Sequence, residues 1–228
     1  MPGSTAGVAA ILFDIDGTLI STGGASDRAW HRAFLELYGV EVNVPDYTGK
    51  GVPDPVVGLQ CFRGAIGREP EGGEMARLMM LRQHYLVEEV SSSDGYRVMP
   101  GVEDLLRRLG DEGRLVGLIT GNTEPAAHIK LARADLNRFF TFGGYGSDAD
   151  ERVDVCRKAL DRAAIAAGGG LDRAGSIAVG DTPLDVDAAH GAGIRVVSVA
   201  TGEYGVEPLR AAGADWVVAD LTAEALPF

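Results

Sequence analysis

Three stretches of this sequence set carboxylates or a hydroxyl directly behind short apolar runs. Asp14-Ile15-Asp16-Gly17-Thr18 follows residues 8–13, Thr120-Gly121-Asn122 follows 115–119, and Gly180-Asp181-Thr182-Pro183-Leu184-Asp185 follows 177–179. A single aspartate in such a place is ordinarily a helix N-cap or an Asx turn. Several together need another explanation, because clustered carboxylates repel one another unless a cation lies among them. A hard dication such as Mg²⁺ takes oxygen ligands and keeps several waters, which makes Asp14 and Asp181 candidate metal ligands. A cation there would admit a phosphate, whose remaining charge needs donors such as the Thr120 hydroxyl and nearby backbone N–H groups.

The elements that must position these residues can be read from periodicity. The continuous apolar runs at 8–13, 115–119, 177–179, 196–199 and 216–218 suit strands covered on both faces, and helical patterns lie between consecutive runs. Strands alternating with helices predict an α/β fold with a Rossmann-like, doubly wound parallel sheet. In such a sheet ligands bind beyond the carboxyl ends of the strands, so the polar residues ending each run should meet in one crevice. The interval between the first two runs is too long for one crossover and reads as helical. Trp30, Ala33, Phe34, Leu37 and Tyr38 recur at helical spacing before Gly39; Met75, Leu78, Met79, Tyr85 and Leu86 mark another helix, and 54–66 a weaker one. The expected organisation is a core of residues 1–20 and 100–228 with a helical insertion at 21–99. The main domain restarts at Pro100-Gly101 with a helix over 102–109.

In this order and at these strand ends, FDIDGT, LITGN and GDTPLD resemble the motifs of the haloacid dehalogenase-like (HAD) hydrolase superfamily. The insertion behind the first motif is similar to the helical C1 cap of its phosphatase branch, which includes phosphoglycolate phosphatase and β-phosphoglucomutase-like members. The resemblance implies a Mg²⁺-dependent phosphatase acting on a small-molecule phosphate monoester. Asp14 would be the nucleophile that forms an aspartyl phosphate, and also a metal ligand. Asp16 would protonate the leaving alkoxide and then activate water, with its backbone carbonyl at the metal. Thr120 would hold the phosphoryl group with the amides of Gly121 and Asn122. Asp181 would bind Mg²⁺, with Asp185 as a further ligand or as a partner of one. Gly17 and Thr18 would shape the turn through which the cap moves and, with Gly121, Asn122 and Lys50, line the phosphate and substrate site. An acid at position 16 favours phosphate esters over the dehalogenase and phosphonatase branches, which lack it.

The sequence departs from the family at the cation before the last motif, usually lysine. Only Lys50, Lys130 and Lys158 occur, and the basic residue at the expected place is Arg152, at the start of a helix carrying Val153, Val155 and Leu160. A cation at a helix N-terminus is modestly unfavourable unless an anion lies beside it. Arg152 is therefore assigned the charge-balancing role toward phosphate and Asp14, with Lys130 as the alternative. The competing possibility is a surface arginine paired with Asp148, Asp150 or Glu151. Lys50, flanked by glycines in the insertion, is a candidate substrate contact on closure of the cap. It lacks P-loop spacing. Arg63, Arg82 and His84 suit a solvated helix face or a capped pair rather than a ligand and receive no role, and His31, His128 and His190 have no metal-ligand spacing.

A formal charge of −12 disfavours nucleic acid and anionic membranes as partners. The apolar share of 46% suffices for a core. Cys61 and Cys156 form no metal motif, the first residues lack the basic region of a leader, and no run is long enough to span a bilayer. The expectation is a cytoplasmic protein, monomer or homodimer, acting on a metabolite small enough to enclose. The alternatives are a phosphomutase of the β-phosphoglucomutase type, in which a second substrate hydroxyl accepts the phosphoryl group, and a non-catalytic metabolite-binding module.

Overall fold

The computed structural model describes residues 8–223 and 226–228. The expectation that the first residues carry no leader lies largely outside them. The apolar runs form strands β1 (Ala10–Phe13), β4 (Leu115–Ile119), β6 (Ile177–Gly180), β7 (Arg195–Val199) and β8 (Trp216–Val218). With β5 (Gly143–Gly144) they make one sheet in the order β5-β4-β1-β6-β7-β8. Every neighbouring pair is parallel. The topology is the doubly wound one expected from the alternating pattern. Val8 falls outside β1 and makes a separate bridge to Leu171.

Alternation along each strand divides the core in two. Ile11, Phe13, Ile177, Val179, Val197 and Val199 face one layer, where α4 (Val102–Asp111) and α5 (Glu124–Ala132) contribute Leu105, Leu109 and Leu131. Ala10, Leu12, Ala178 and Val196 face the other, packed on α6 (Arg152–Ala166) and α7 (Pro183–Gly191) through Val155, Leu160 and Val186. Burial of one such aliphatic side chain is worth about 1.5–3 kcal/mol, so two filled faces fix the sheet and with it the direction of its strand ends.

Between two short antiparallel strands, β2 (Ile20–Ser21) and β3 (Arg97–Val98), the chain leaves the sheet and returns. The intervening segment holds α1 (Ala25–Tyr38), α2 (Asp54–Ile66) and α3 (Glu74–Ser92). Trp30, Phe34, Phe62 and Leu78 give it a hydrophobic cluster of its own. Helix α1 stops where the sequence indicates, at Gly39, whose φ of 66° and N–H bond to the Leu35 carbonyl close the last turn. Among the described residues no helix is long and apolar enough to cross a membrane.

Candidate active site

The carboxyl ends of β1, β4 and β6 open onto one cavity of about 700 Å³, with Asp14, Asp16, Thr120 and Asp181 on the sheet side and Trp30 and Lys50 on the helical side. Asp14 leaves β1 with its N–H bonded to the Val179 carbonyl, and Thr120 leaves β4 bonded to that of Gly144. Sheet hydrogen bonds thus hold both residues up to the point where their side chains turn into the site.

Arg152 is the first residue of α6, and it is buried. Its Nη2 donates at 2.7 Å to Asp14 Oδ1, at 2.7 Å to Asp185 Oδ1 and at 3.2 Å to the Ile119 carbonyl. It is not the surface arginine of the competing expectation; Asp148 pairs instead with Arg162. Burial works against the charge on Arg152, but Asp14 and Asp185 outweigh it and hold its pKa up. Burial pushes the Asp14 carboxyl up to about 7, against the pull of Arg152 and with the help of the Asp185 charge. Asp181 is raised well above the usual carboxylate range, first by burial and then by Asp14 and Asp185.

Oxygens of Asp14, Asp181 and Asp185 lie within 4.8 Å of one another. Three buried carboxylates face a single guanidinium, an excess of negative charge that a dication with oxygen ligands fits. Asp181 is the more available ligand, since Thr18 occupies only its Oδ1, at 3.1 Å. Both oxygens of Asp185 are engaged. Oδ1 accepts from Arg152, while Oδ2 accepts the Thr182 N–H and hydroxyl in a capping box that starts α7.

Asp16 lies on the cavity wall, where Lys130 Nζ and Asn122 Nδ2 each reach its Oδ2 at 2.7 Å. Burial alone would raise its pKa, but Lys130 and Asn122 bring it below the ordinary value. Lys130 is therefore not the cation of Asp14, the role for which it stood as the alternative. Thr120 is fully buried, and its hydroxyl accepts from the Asn122 side chain at 2.8 Å and from the Asn122 N–H at 3.3 Å. Gly121 is crowded against the helical segment: its carbonyl accepts from Asp54 N–H at 2.7 Å, and a Cβ there would come within 2.7 Å of the Val52 carbonyl oxygen.

Gly17 has φ 84°, and its carbonyl accepts from the Thr201 hydroxyl. Thr18 does not open onto the cavity: it is fully buried, with its hydroxyl on Asp181. Lys50 stands at the cavity mouth between Asp27 and Glu203, at 3.8 and 3.4 Å.

Of the two expectations for Arg82, a solvated face and a pair, the structure shows the pair. Arg82 is fully buried, with Nη1 3.0 Å from Asp54 Oδ2 and its guanidinium over the Trp30 ring. Asp54 Oδ2 also accepts the Thr123 N–H. The burial of Arg82 and Lys130 left a signal in the sequence. Arg82 stands four residues from both Leu78 and Leu86, and Lys130 lies on the stripe of Ala126 and Ala127, so both cations sit on apolar helix faces.

Residues 8–193 match the family described as haloacid dehalogenase-like hydrolase. The chain belongs to that family. Among curated relatives it is 30% identical to a phosphoglycolate phosphatase of Mesorhizobium japonicum, over 84% of this chain and 82% of that one. It is 29% identical to a phosphoglycolate phosphatase of Cereibacter sphaeroides, over 81% and 82%. Within the family the chain is a phosphatase, a phosphoric monoester hydrolase. Its fold is shared with solved structures such as a β-phosphoglucomutase from Clostridium difficile, with a TM-score of 0.73 at 18% identity, covering 96% of this chain and 94% of that one.

Proposed function

We propose that this phosphatase hydrolyses a small-molecule phosphate monoester through an aspartyl phosphate on Asp14, with Mg²⁺ as cofactor and residues 21–99 acting as a cap over the site. The observation that carries this reading is the bridge from Arg152 to Asp14 and Asp185. It fixes one Asp14 oxygen against a cation and leaves the other for attack on phosphorus. Asp14, Asp181 and the Asp16 carbonyl would hold Mg²⁺, with Asp185 beside them. The ion would neutralise charge on the bound phosphoryl group.

Thr120 and the amides of Gly121 and Asn122 would donate to the phosphoryl oxygens. Asp16 would deliver a proton to the leaving alkoxide and then take one from water, so that one carboxyl serves both half-reactions. Gly17 would give the turn its freedom, Thr18 would fix Asp181, and Lys50 would meet the distal part of the substrate. A cavity of about 700 Å³ suits a metabolite. Phosphoglycolate, on which the relatives are named, is the first ester to try. Both cysteines are free, in keeping with a cytoplasmic location.

The test is phosphate release from a panel of small esters, with Mg²⁺ or with excess chelator, for wild type and Asp14→Asn. Turnover that needs the metal and disappears in Asp14→Asn, with a phosphorylated protein trapped from wild type alone, is expected. Undiminished turnover in Asp14→Asn would remove Asp14 as nucleophile.

A further inference from the structure

Lys130 is 2% exposed, although its carboxylate partner Asp16 keeps 41% of its side chain open to solvent. Desolvating an ammonium is costly unless a partner compensates. An aspartate at a cavity wall can keep its own hydration and needs no buried lysine in order to fold. The geometry around the pair indicates another use.

Lys130 Nζ donates to Asp16 Oδ2 at 2.7 Å and to Asn122 Oδ1 at 2.5 Å. The Asn122 amide has its orientation locked, because Nδ2 donates at once to Asp16 Oδ2 and to Thr120 Oγ1. Two donors therefore converge on Oδ2 of Asp16, while its Oδ1 takes no hydrogen bond among the described residues.

Resting on the assignment of Asp16 as proton donor made above, we propose that Lys130 is its positioning residue, clamping Oδ2 so that Oδ1, the oxygen left without a hydrogen bond among the described residues, faces the leaving oxygen. In the first half-reaction a bond forms between an Asp14 oxygen and phosphorus, and the bond from phosphorus to the alkoxide oxygen breaks. The proton on Asp16 Oδ1 passes to that oxygen. Negative charge then appears on the Asp16 carboxylate, where the preset ammonium and amide already point at Oδ2 and stabilise it without rearranging. The same network ends on Thr120 Oγ1, so the donor and the phosphoryl-holding hydroxyl keep a fixed separation.

A positioning residue for an acid matters only where the leaving group needs the proton. An alkyl phosphate such as phosphoglycolate needs it, whereas p-nitrophenyl phosphate releases a stable phenolate. The experiment compares kcat/KM for both esters at saturating Mg²⁺ in wild type, Lys130→Met and Asp16→Ala, because kcat/KM reports the first phosphoryl transfer. Lys130→Met is expected to lose about tenfold or more on the alkyl ester beyond its loss on the nitrophenyl ester. Equal losses on both esters, or none on either, would overturn the role of Lys130.

Asp16→Ala separates the two levels. A selective loss there beside an unselective Lys130→Met overturns only the positioning role, whereas an unselective loss in Asp16→Ala overturns the proton donor itself. Should Lys130→Met not fold, Lys130→Gln keeps a donor for Asn122 without the charge and undergoes the same comparison with the same two outcomes.

Discussion

A single nitrogen of Arg152 joins Asp14 to Asp185, lying 2.7 Å from an oxygen of each. Removing the cation strands two buried carboxylates, a change that costs about 3–5 kcal/mol when a buried pair loses one member. Arg152→Met is therefore expected to lower the urea midpoint strongly and to abolish phosphate release. Arg152→Lys keeps the charge that this position usually carries in the family. It should retain most of the stability and activity within about tenfold of wild type, the equivalent of about 1.4 kcal/mol. Equal damage from both substitutions would mean that guanidinium shape rather than charge matters here.

Asp54 and Arg82 form a second buried ion pair, inside the helical segment, and its carboxylate member also joins that segment to the sheet. Asp54 reaches the loop behind β4 through its N–H on the Gly121 carbonyl and through its carboxylate, which accepts the Thr123 N–H. Arg82→Met should cost about 3–5 kcal/mol, because it leaves that carboxylate buried without its cation. Adding Asp54→Asn should recover much of the loss, as the amide oxygen still accepts from Thr123. Urea unfolding of the two single variants and the double variant measures the coupling; strictly additive effects would show that the pair does not act as one.

The contrast between these pairs and the strand ends explains what could be read from the chain alone. Asp14, Thr120 and Asp181 were legible because each ends an apolar run, and the topology of a parallel sheet brings such ends together. The Arg152 position was legible from its place before the last motif. Strand β5 was not, since Gly143-Gly144 has no apolar pattern. Its glycines are required by close packing: a Cβ on Gly144 would lie 2.2 Å from the Val155 carbonyl oxygen. The link from Lys130 to Asp16 spans 114 residues of sequence, and that from Arg82 to Asp54 spans 28. Periodicity shows that such a cation lies on a buried face, but only the assembled fold names its partner.

Asp148 gives a pH signature away from the site. Burial acts to raise its pKa, but the hydrogen bond from Arg162, the Tyr145 N–H and the Arg162 charge hold it below the ordinary carboxylate value. A carboxylate depressed in the folded state adds stability that is fully present above its unfolded pKa and is lost as pH falls through the folded one. Asp148→Asn should thus cost about 1 kcal/mol near neutral pH, a partly exposed pair being worth no more. The gap to wild type should begin to narrow near pH 4, the ordinary aspartate range, and go on shrinking as the pH falls further. Urea midpoints taken from pH 7 down to pH 3 provide the check, and a gap that stays constant would remove Asp148 as the origin.

Gly202 tests the proposed cation site without replacing a candidate ligand. Its backbone does not require positive φ, so an alanine there carries no conformational strain, yet its Cβ would stand 1.8 Å from Asp181 Oδ2. Asp181 cannot step aside freely, because Oδ1 is held by Thr18 and the residue is buried. Gly202→Ala is expected to keep the far-ultraviolet spectrum of wild type while the Mg²⁺ concentration for half-maximal activity rises by about tenfold or more, as a displaced ligand weakens metal affinity. Excess Mg²⁺ should restore part of the turnover, since the lesion lies in binding the ion. Thr18→Val removes only the hydrogen bond, worth about 1 kcal/mol, and should shift the same midpoint by less. An unchanged Mg²⁺ requirement in Gly202→Ala would place the ion away from Asp181, whereas a shift in Gly202→Ala larger than in Thr18→Val is what a cation held by that carboxylate requires.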